Sequence, residues 1–146
     1  MTELIQARLK QIEKDRKIKI LFAVESGSRA WGFHSQDSDY DVRFVYVPDI
    51  TYYFKVHNPR DVVEIMEGDL DFSGWELRKA LGLLYKGNPP LLEWLNSPLI
   101  YQEHPHRLPQ SLERLQEAIM TLKRPYITTS TWQKVIIGLI LKVGMK

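Results

Sequence analysis

The chain has 146 residues, a formal net charge of +2, 44% hydrophobic and 26% charged residues, which is the composition of a folded globular protein of about one domain. Cysteine is absent, so disulfides, cysteine-ligated zinc, iron–sulfur clusters and thiol catalysis are excluded. No apolar run reaches the roughly 18 residues that cross a membrane, and no secretory signal is visible, so a cytoplasmic location is expected.

Hydrophobic periodicity predicts alternating helices and strands in the first part of the chain. The predicted elements are a helix at 2–16, a buried strand at 18–25, a short helix or turn at 29–34, a strand at 40–47 and an aromatic turn or short helix at 50–56. Thr2 is expected to cap the first helix, because a hydroxyl can accept a hydrogen bond from a free N–H group of the first turn.

The second part is predicted to be mostly helical. Its elements are a strand at 61–66 that resumes at 69–72, then helices at 73–86, 89–96, 110–123 and 131–143. Ser73 and Glu76 have the spacing of a capping box, and Asn88 followed by Pro89 is typical of a helix start. Strands mixed with helices, followed by helices alone, predict an α+β or α/β domain with a helical extension.

Two carboxylates at the start of the second long strand are the first indication of chemistry. Asp39 and Asp41 alternate along this strand, so their side chains are expected on the same face. Adjacent negative charges are unfavourable unless a positive charge lies between them, and Mg²⁺ is the usual solution because it prefers oxygen ligands. The pair therefore predicts a divalent metal site.

A glycine-containing turn precedes that strand. Gly27 and Ser28 follow a buried strand and precede a possible helix, where backbone N–H groups can approach a phosphate. Together with the carboxylate pair, this turn would hold a nucleoside triphosphate and its metal. The simpler interpretation is a strand–turn–strand unit whose Ser, Asp and Gly residues only form turns. We favour the functional interpretation because both elements occur together at this spacing.

The pattern of Gly-Ser, ten residues and Asp-x-Asp resembles the DNA polymerase β-like nucleotidyltransferase superfamily. Longer strings narrow the resemblance to the bacterial and phage branch of predicted nucleotidyltransferases that is named for its association with RNA-repair ligase and kinase–phosphatase genes. Those strings are residues 25–33, 38–43, 71–81 and 88–98. The resemblance implies an α+β fold with a small mixed-sheet nucleotidyltransferase core at 1–101, flanking helices, and a C-terminal helical extension at 102–146.

The superfamily also implies three metal-binding, catalytic carboxylates. Asp39 and Asp41 match the first two, and Asp71, between apolar neighbours on a later strand, matches the third best. Asp69 is the alternative, and a helix-capping role is the simpler interpretation of Asp71. Glu25 and Asp37 are expected to be peripheral. The resemblance implies that the three carboxylates hold Mg²⁺ or Mn²⁺, with Asp71 on the ion that activates the nucleophile.

Four residues are expected to contact the nucleotide. Gly27 and Ser28 would hold the β- and γ-phosphates, and Arg29, just past the turn, would add positive charge there. Lys79 would face the phosphates from the next helix. A surface position is the competing interpretation for Arg29, and a solvated helical lysine is the simpler one for Lys79.

The leading functional interpretation is a metal-dependent nucleotidyltransferase that transfers a nucleoside monophosphate from an NTP to an acceptor hydroxyl. By genomic association within the family, an RNA end is the expected acceptor. One alternative is a toxin–antitoxin-type nucleotidyltransferase that modifies a protein or a tRNA. Another, of a different class, is a non-catalytic nucleotide-binding module; the presence of all three expected carboxylates argues against it. No membrane partner is expected.

Aromatic and histidine residues fit structural roles better than binding roles. The tryptophans at 31, 75 and 94 are expected to pack rather than to stack bases. The aromatic cluster at 52–54 would either stack a base or close the core. His104 and His106 alternate without an accompanying carboxylate pattern, so a zinc site is not expected.

The apolar stripe of the predicted final helix, through Val143, needs a cover. Only three residues follow it. Three explanations are open: the preceding helices bury the stripe, a second copy of the chain covers it in a homo-oligomer, or the chain is a truncated form of a longer protein. In the last case the metal site would be present while acceptor-binding surface is missing.

Overall fold

The computed structural model describes residues 1–35, 37–57, 59–103 and 112. The elements in chain order are α1 (Thr2–Arg16), β1 (Ile18–Ser26), α2 (Gly27–Ala30), β2 (Tyr40–Pro48), a 3₁₀ turn (Ile50–Phe54), β3 (Val62–Glu67), β4 (Leu70–Glu76), α3 (Leu77–Tyr85), α4 (Pro89–Leu95) and β5 (Ile100–Glu103). The first helix and the first two strands are confirmed to within about one residue of their predicted bounds.

The five strands form one mixed sheet in the order β3-β4-β2-β1-β5. The β2 and β4 strands are parallel, and the other neighbouring pairs are antiparallel. The mixed α+β class is therefore confirmed. The edge strand β5 was not predicted, because four residues are too few to establish a periodicity and its pairing partner, β1, is distant in sequence.

One face of the sheet is covered by α1. Ile5, Leu9 and Ile12 lie on one side of this helix and are buried against Phe44 and Phe72 of the sheet. We call this surface the α1 face. The N-terminus of α1 is only weakly capped. Burial of this apolar stripe is therefore what holds the helix against the sheet. The expectation that Thr2 caps it was wrong, since the N-cap is Met1 and no side chain bonds there.

Among the described residues, α3 and α4 cover part of the opposite face. Val45 and Val47 of β2 pack there against Leu81, Leu84 and Leu91. We call this surface the α3/α4 face. Leu112, the described residue beyond β5, is helical and belongs to the same buried cluster.

The helix predicted to begin at Ser73 begins at Leu77 instead. Ser73 lies within β4, which pairs with β2 on one side and with β3 on the other. Hydrogen bonding to two neighbours outweighs the local capping signal. The helix is capped by Glu76, whose carboxylate accepts a hydrogen bond from the N–H of Arg78 at 3.0 Å.

The start of α4 was predicted correctly. Asn88 is its N-cap, and its side-chain oxygen accepts a hydrogen bond from the N–H of Leu91 at 3.2 Å. Pro89 occupies the first helical position, where the lack of an N–H group costs nothing.

Several predictions concern residues outside the described ranges. These are the helix at 110–123 apart from Leu112, the helix at 131–143, the rest of the helical extension and any self-association through it, and the two histidines at 104 and 106. Within the described part of the chain, no helix is long and apolar enough to cross a membrane.

Candidate active site

Two of the three predicted carboxylates lie side by side on the α3/α4 face, beyond the part that the helices cover. Asp41 on β2 and Asp71 on β4 are direct partners in the parallel register. Both are half-buried, at 31% and 27% side-chain exposure. The strand position of Asp71, six residues before α3, shows that a helix-capping role for it was the wrong alternative.

A guanidinium joins these carboxylates. Arg43 Nη2 donates to Asp41 Oδ1 at 2.7 Å and to Asp71 Oδ2 at 2.8 Å. Arg43 Nη1 also donates to the backbone carbonyl of Asp71 at 3.1 Å. Burial raises the pKa of Asp41, and the positive charge of Arg43 lowers it. The negative charges of Asp71 and Asp39 raise the pKa of Asp41 further.

Asp39 lies just before β2 and is exposed. Its charge reaches Asp41, but within residues 1–35, 37–57 and 59–103 no three acidic or histidine side chains are arranged to hold a metal ion. Asp69, the alternative third carboxylate, lies in the tight turn between β3 and β4, where its carbonyl accepts from the N–H of Tyr40 at 2.8 Å.

The chemistry of Asp41 and Asp71 fits a divalent cation. Their oxygens converge on one point, and a positive nitrogen already lies there. Gly27 packs closely against the other carboxylate oxygen of Asp41, since a Cβ atom at position 27 would lie 2.4 Å from Asp41 Oδ2. Two of the three predicted ligands are therefore in place around a position suited to positive charge.

The turn at Gly27 is bound by a carboxylate that the sequence analysis did not single out. Glu93 Oε1 accepts from Ser26 Oγ at 3.1 Å, from Gly27 N at 3.3 Å and from Trp31 Nε1 at 3.2 Å. Burial opposes ionisation of Glu93, but these hydrogen bonds outweigh it and hold its pKa below the usual value. The Gly27 turn thus binds a carboxylate of the chain itself, supplied by α4.

Comparison with known proteins identifies the family of the chain. The model of the RNA repair pathway DNA polymerase beta family matches residues 1–127. The chain belongs to this family. A protein of Bacillus subtilis (strain 168), described as uncharacterized protein YcgL, is 60% identical over 104 residues, which cover 70% of this chain and 40% of that protein. No solved structure matches. The family resemblance predicted from the motifs is confirmed, and the chain spans about two fifths of the length of this relative.

In this member of the polymerase beta family, Arg29 links α2 to the segment before β2. Arg29 Nε donates to the backbone carbonyls of Ser38 and Asp39, at 3.1 Å each. Its guanidinium also lies over the ring of Tyr40, at 3.8 Å from the centroid. Arg29 therefore holds the segment that carries Asp39 close to the Gly27 turn, and Ser28 lies beside it on α2.

Lys79 is not brought to the carboxylates. It lies on α3, which begins where β4 ends, whereas Asp71 lies at the start of β4. Its ammonium group pairs with Asp61 Oδ1 at 3.2 Å. The structure thus gives Lys79 an ion-pair partner at the opposite end of the strand from Asp71.

Glu25 was expected to be peripheral, yet it lies directly behind Asp41. It is fully buried, and its Oε1 accepts from the N–H of Asp41 at 2.8 Å. Its Oε2 accepts from the hydroxyl of Tyr101 on β5 at 2.5 Å. Burial raises the pKa of Glu25, although both hydrogen bonds oppose this. A carboxylate at the end of a continuous apolar strand was the signal that would have identified it.

A cavity of about 640 Å³ opens beside Asp71 and Arg43. Its polar wall includes Ser26 and Glu93, and the rest of its lining is largely apolar. The rings of Trp75 and Trp94 are part of its lining, with centroids 3.9 Å apart and planes tilted by 31°. The site is therefore continuous with a space large enough for part of a substrate.

Some of the other aromatic residues pack inside the protein, and others are exposed to solvent. Trp31 is 45% exposed, so the expectation that it packs was wrong, whereas Trp94 is buried as expected. Tyr53 donates its hydroxyl to the buried carboxylate of Glu76 at 2.7 Å. Tyr52 donates to the carbonyl of Pro59. These two tyrosines close the end of the sheet remote from Asp71.

Proposed function

We propose that this chain is a metal-dependent nucleotidyltransferase that transfers a nucleoside monophosphate from an NTP to an acceptor hydroxyl. The observation that carries the proposal is the convergence of Asp41 and Asp71 on one cationic position beside the Gly27 turn. Membership of a polymerase beta-like family supports it.

In this proposal, Asp41 and Asp71 would hold Mg²⁺ or Mn²⁺, and Asp39, on the segment just before β2, would be the third ligand. A bound ion would supply positive charge to the phosphates and acidity to the acceptor hydroxyl. The protein's own contribution is to fix these carboxylates in register on two neighbouring strands, which is a pre-organised arrangement.

The bond changes follow from phosphoryl-transfer chemistry. The acceptor oxygen forms a bond to the α-phosphorus, and the bond from that phosphorus to the bridging oxygen of the β-phosphate breaks. Pyrophosphate leaves with the electron pair of the broken bond. The proton of the acceptor hydroxyl passes to a carboxylate oxygen of Asp71. Positioning and charge neutralisation supply most of the rate enhancement in such reactions.

The triphosphate is assigned to the Gly27 turn and the acceptor to the cavity beside Asp71, whose lining at Ser26 and Glu93 borders that turn. Gly27 and Ser28 would hold the β- and γ-phosphates, with the Gly27 N–H exchanging its present acceptor, the Glu93 carboxylate, for a phosphate oxygen. The acceptor would enter the cavity beside Asp71. We take an RNA end as the acceptor because the family is described as part of an RNA repair pathway.

The test is incorporation of labelled nucleotide from each NTP, with Mg²⁺, into RNA ends or into a cell lysate. The Asp39→Asn, Asp41→Asn double variant and the Asp71→Asn variant are expected to lose incorporation, by on the order of 10²-fold or more. Asp69→Asn, on the exposed turn, is the matched control and should retain activity. Undiminished incorporation by the double variant would contradict the proposal.

The location of the label distinguishes the acceptors. Label on RNA ends supports repair, whereas label on protein or tRNA supports the toxin–antitoxin-type alternative. Binding of nucleotide without incorporation anywhere supports a non-catalytic module. Because the Bacillus subtilis relative is longer, the same assay with that protein shows whether acceptor use requires the additional length.

A further inference from the structure

Arg43 occupies the position between the two carboxylates that a metal ion would need. A single nitrogen, Nη2, donates to both Asp41 Oδ1 and Asp71 Oδ2, at 2.7 and 2.8 Å. The Arg43 side chain is 17% exposed, so this contact is largely shielded from solvent. A positive point charge held by two carboxylate oxygens is the same arrangement that a divalent cation makes, with a nitrogen in place of the ion.

An ion and this nitrogen cannot share the position. A bound Mg²⁺ lies about 2.0–2.1 Å from its oxygen ligands, so it would fall within repulsive distance of a nitrogen that contacts the same oxygens. Both are positively charged, and the partly buried surroundings screen their repulsion poorly. Binding of an ion therefore requires Arg43 Nη2 to leave both carboxylates.

The geometry provides a route for that movement. Arg43 Nη1 donates to the backbone carbonyl of Asp71 at 3.1 Å, a bond that does not depend on the carboxylates. The side chain also lines the cavity that contains Glu93 and Ser26. The guanidinium can thus turn about its bond to the carbonyl and enter the cavity that is assigned to the acceptor.

We propose that Arg43 is an internal counter-ion of the metal site: it neutralises Asp41 and Asp71 in the metal-free protein, lowers their affinity for a divalent ion, and is released into the cavity when the ion binds. The inference rests on the proposed function, since it requires these two carboxylates to be the metal ligands. It makes Arg43 a positioning residue, which determines how tightly the metal is held before the substrate arrives.

The test is the affinity for Mn²⁺ alone, measured by paramagnetic resonance of the free ion, without nucleotide or turnover. Arg43→Gln removes the competing charge, so we expect it to bind Mn²⁺ about 10- to 100-fold more tightly, the change that corresponds to one charge-assisted hydrogen bond. Arg43→Lys keeps the charge and should bind about as weakly as the unaltered protein. Arg8→Gln, on α1 and the other side of the sheet, is the control for net charge.

Loss of Arg43 also leaves two carboxylates without their counter-ion, so Arg43→Gln is expected to melt at a lower temperature in a metal-free buffer. A second measurement therefore uses the shift of melting temperature with Mn²⁺ concentration, which should be larger in Arg43→Gln than in the unaltered protein. Adding Asp41→Asn to Arg43→Gln should abolish both the binding and the shift.

The outcomes separate this inference from the proposed function. If the unaltered protein binds Mn²⁺ and Arg43→Gln binds it no more tightly, Arg43 does not compete with the ion and the inference is overturned, while the metal site stands. If neither protein binds Mn²⁺, the proposed metal-dependent function fails, and the counter-ion inference fails with it. Tighter binding that survives Asp41→Asn would place the ion elsewhere and also overturn the inference.

Discussion

The two faces of the sheet are built from the same strands but differ in what covers them. Along β2, Val42, Phe44 and Tyr46 point toward α1, and all three are buried. The alternate residues, Asp41 and Arg43, lie on the α3/α4 face and are followed there by buried valines. A single strand therefore supplies one continuous apolar face and one face that changes from charged to apolar where the helices begin.

This difference shows how the fold separates stability from chemistry. Asp41, Arg43 and Asp71 lie beyond the part of the sheet that α3 and α4 cover, and the cavity lies there. Side chains alternate between the two faces of the sheet. Replacing a residue that points toward α1 therefore affects the core, whereas replacing its neighbour in the strand affects the candidate site. The predictions below test that separation, beginning with the largest expected effect.

The α1 face should be the more sensitive to truncation. Phe44→Ala removes a fully buried ring that packs beneath α1, so we expect the free energy of unfolding to fall by about 3–5 kcal/mol. Chemical denaturation followed by circular dichroism measures this change. Mn²⁺ affinity per folded molecule should be unchanged, because neither carboxylate is touched.

Phe44→Leu is the milder control and should lose less stability than Phe44→Ala, since it leaves a smaller cavity. A change in Mn²⁺ affinity in either variant, once corrected for the folded fraction, would show that the two faces are coupled through β2. The separation described above would then be wrong.

The close contact between β4 and Phe44 should make the same face intolerant of added volume. A Cβ atom at Gly74 would lie 2.1 Å from Phe44 Cε2, so we expect Gly74→Ala to cost about 1–3 kcal/mol of stability. The same denaturation experiment measures it. Combining it with Phe44→Leu should cost less than the sum of the two single changes, because the smaller side chain makes room for the methyl group.

Gly82→Ala is the matched control for this substitution. Gly82 is an exposed residue of α3, and a Cβ atom there would meet no other atom within 4 Å. Alanine has the higher helix propensity, so this variant should gain about 0.5–1 kcal/mol. If both alanine variants changed stability equally, steric crowding by Phe44 would not explain the effect at Gly74.

At the uncovered end of the other face, Glu93 should contribute less and in a pH-dependent manner. Glu93→Ala removes the acceptor for three donors, and we expect a loss of about 1–3 kcal/mol at neutral pH. Glu93→Gln keeps an acceptor oxygen and should lose less. Denaturation of the three proteins at several pH values provides the measurement.

The direction of the pH dependence follows from the pKa of Glu93, which is lower in the folded protein than its ordinary value of 4.5. The stabilisation by its ionised form is fully present above the ordinary pKa and is lost as the pH falls through the folded value. The stability gap between the unaltered protein and Glu93→Gln should therefore narrow below pH 4.5. A gap that widened on acidification would show that the hydrogen bonds do not favour the ionised carboxylate.

The features that local patterns could predict are those that depend on neighbours in sequence. The 3.6-residue stripe of Ile5, Leu9 and Ile12 predicted α1, and the Asn88-Pro89 pair predicted the start of α4. The same reasoning failed at Ser73, because pairing with two other strands cannot be read from a local capping signal.

The contacts that define the candidate site could not be predicted, because they join residues far apart in the chain. Glu93 meets Gly27 from a helix 66 positions away, and Tyr101 meets Glu25 from an edge strand 76 positions away. Arg43 was named only as part of a motif, since its bond to Asp71 depends on the parallel pairing of β2 with β4. Strand order decides which charges meet, and the sequence pattern alone left that order open.

The smallest expected effect concerns the ion pair that joins α1 to the end of β3. Arg8 Nε donates to Glu67 Oε2 at 2.8 Å, and Nη2 donates to the other carboxylate oxygen. Because both side chains are substantially exposed, we expect a double-mutant cycle of Arg8→Gln and Glu67→Gln to give a coupling of about 0.2–1 kcal/mol. Repeating the cycle at about 1 M salt should reduce it toward zero, because the screening length falls to about 3 Å. A larger coupling that persisted in salt would mean that this ion pair, as well as the apolar stripe, fixes α1 on the sheet.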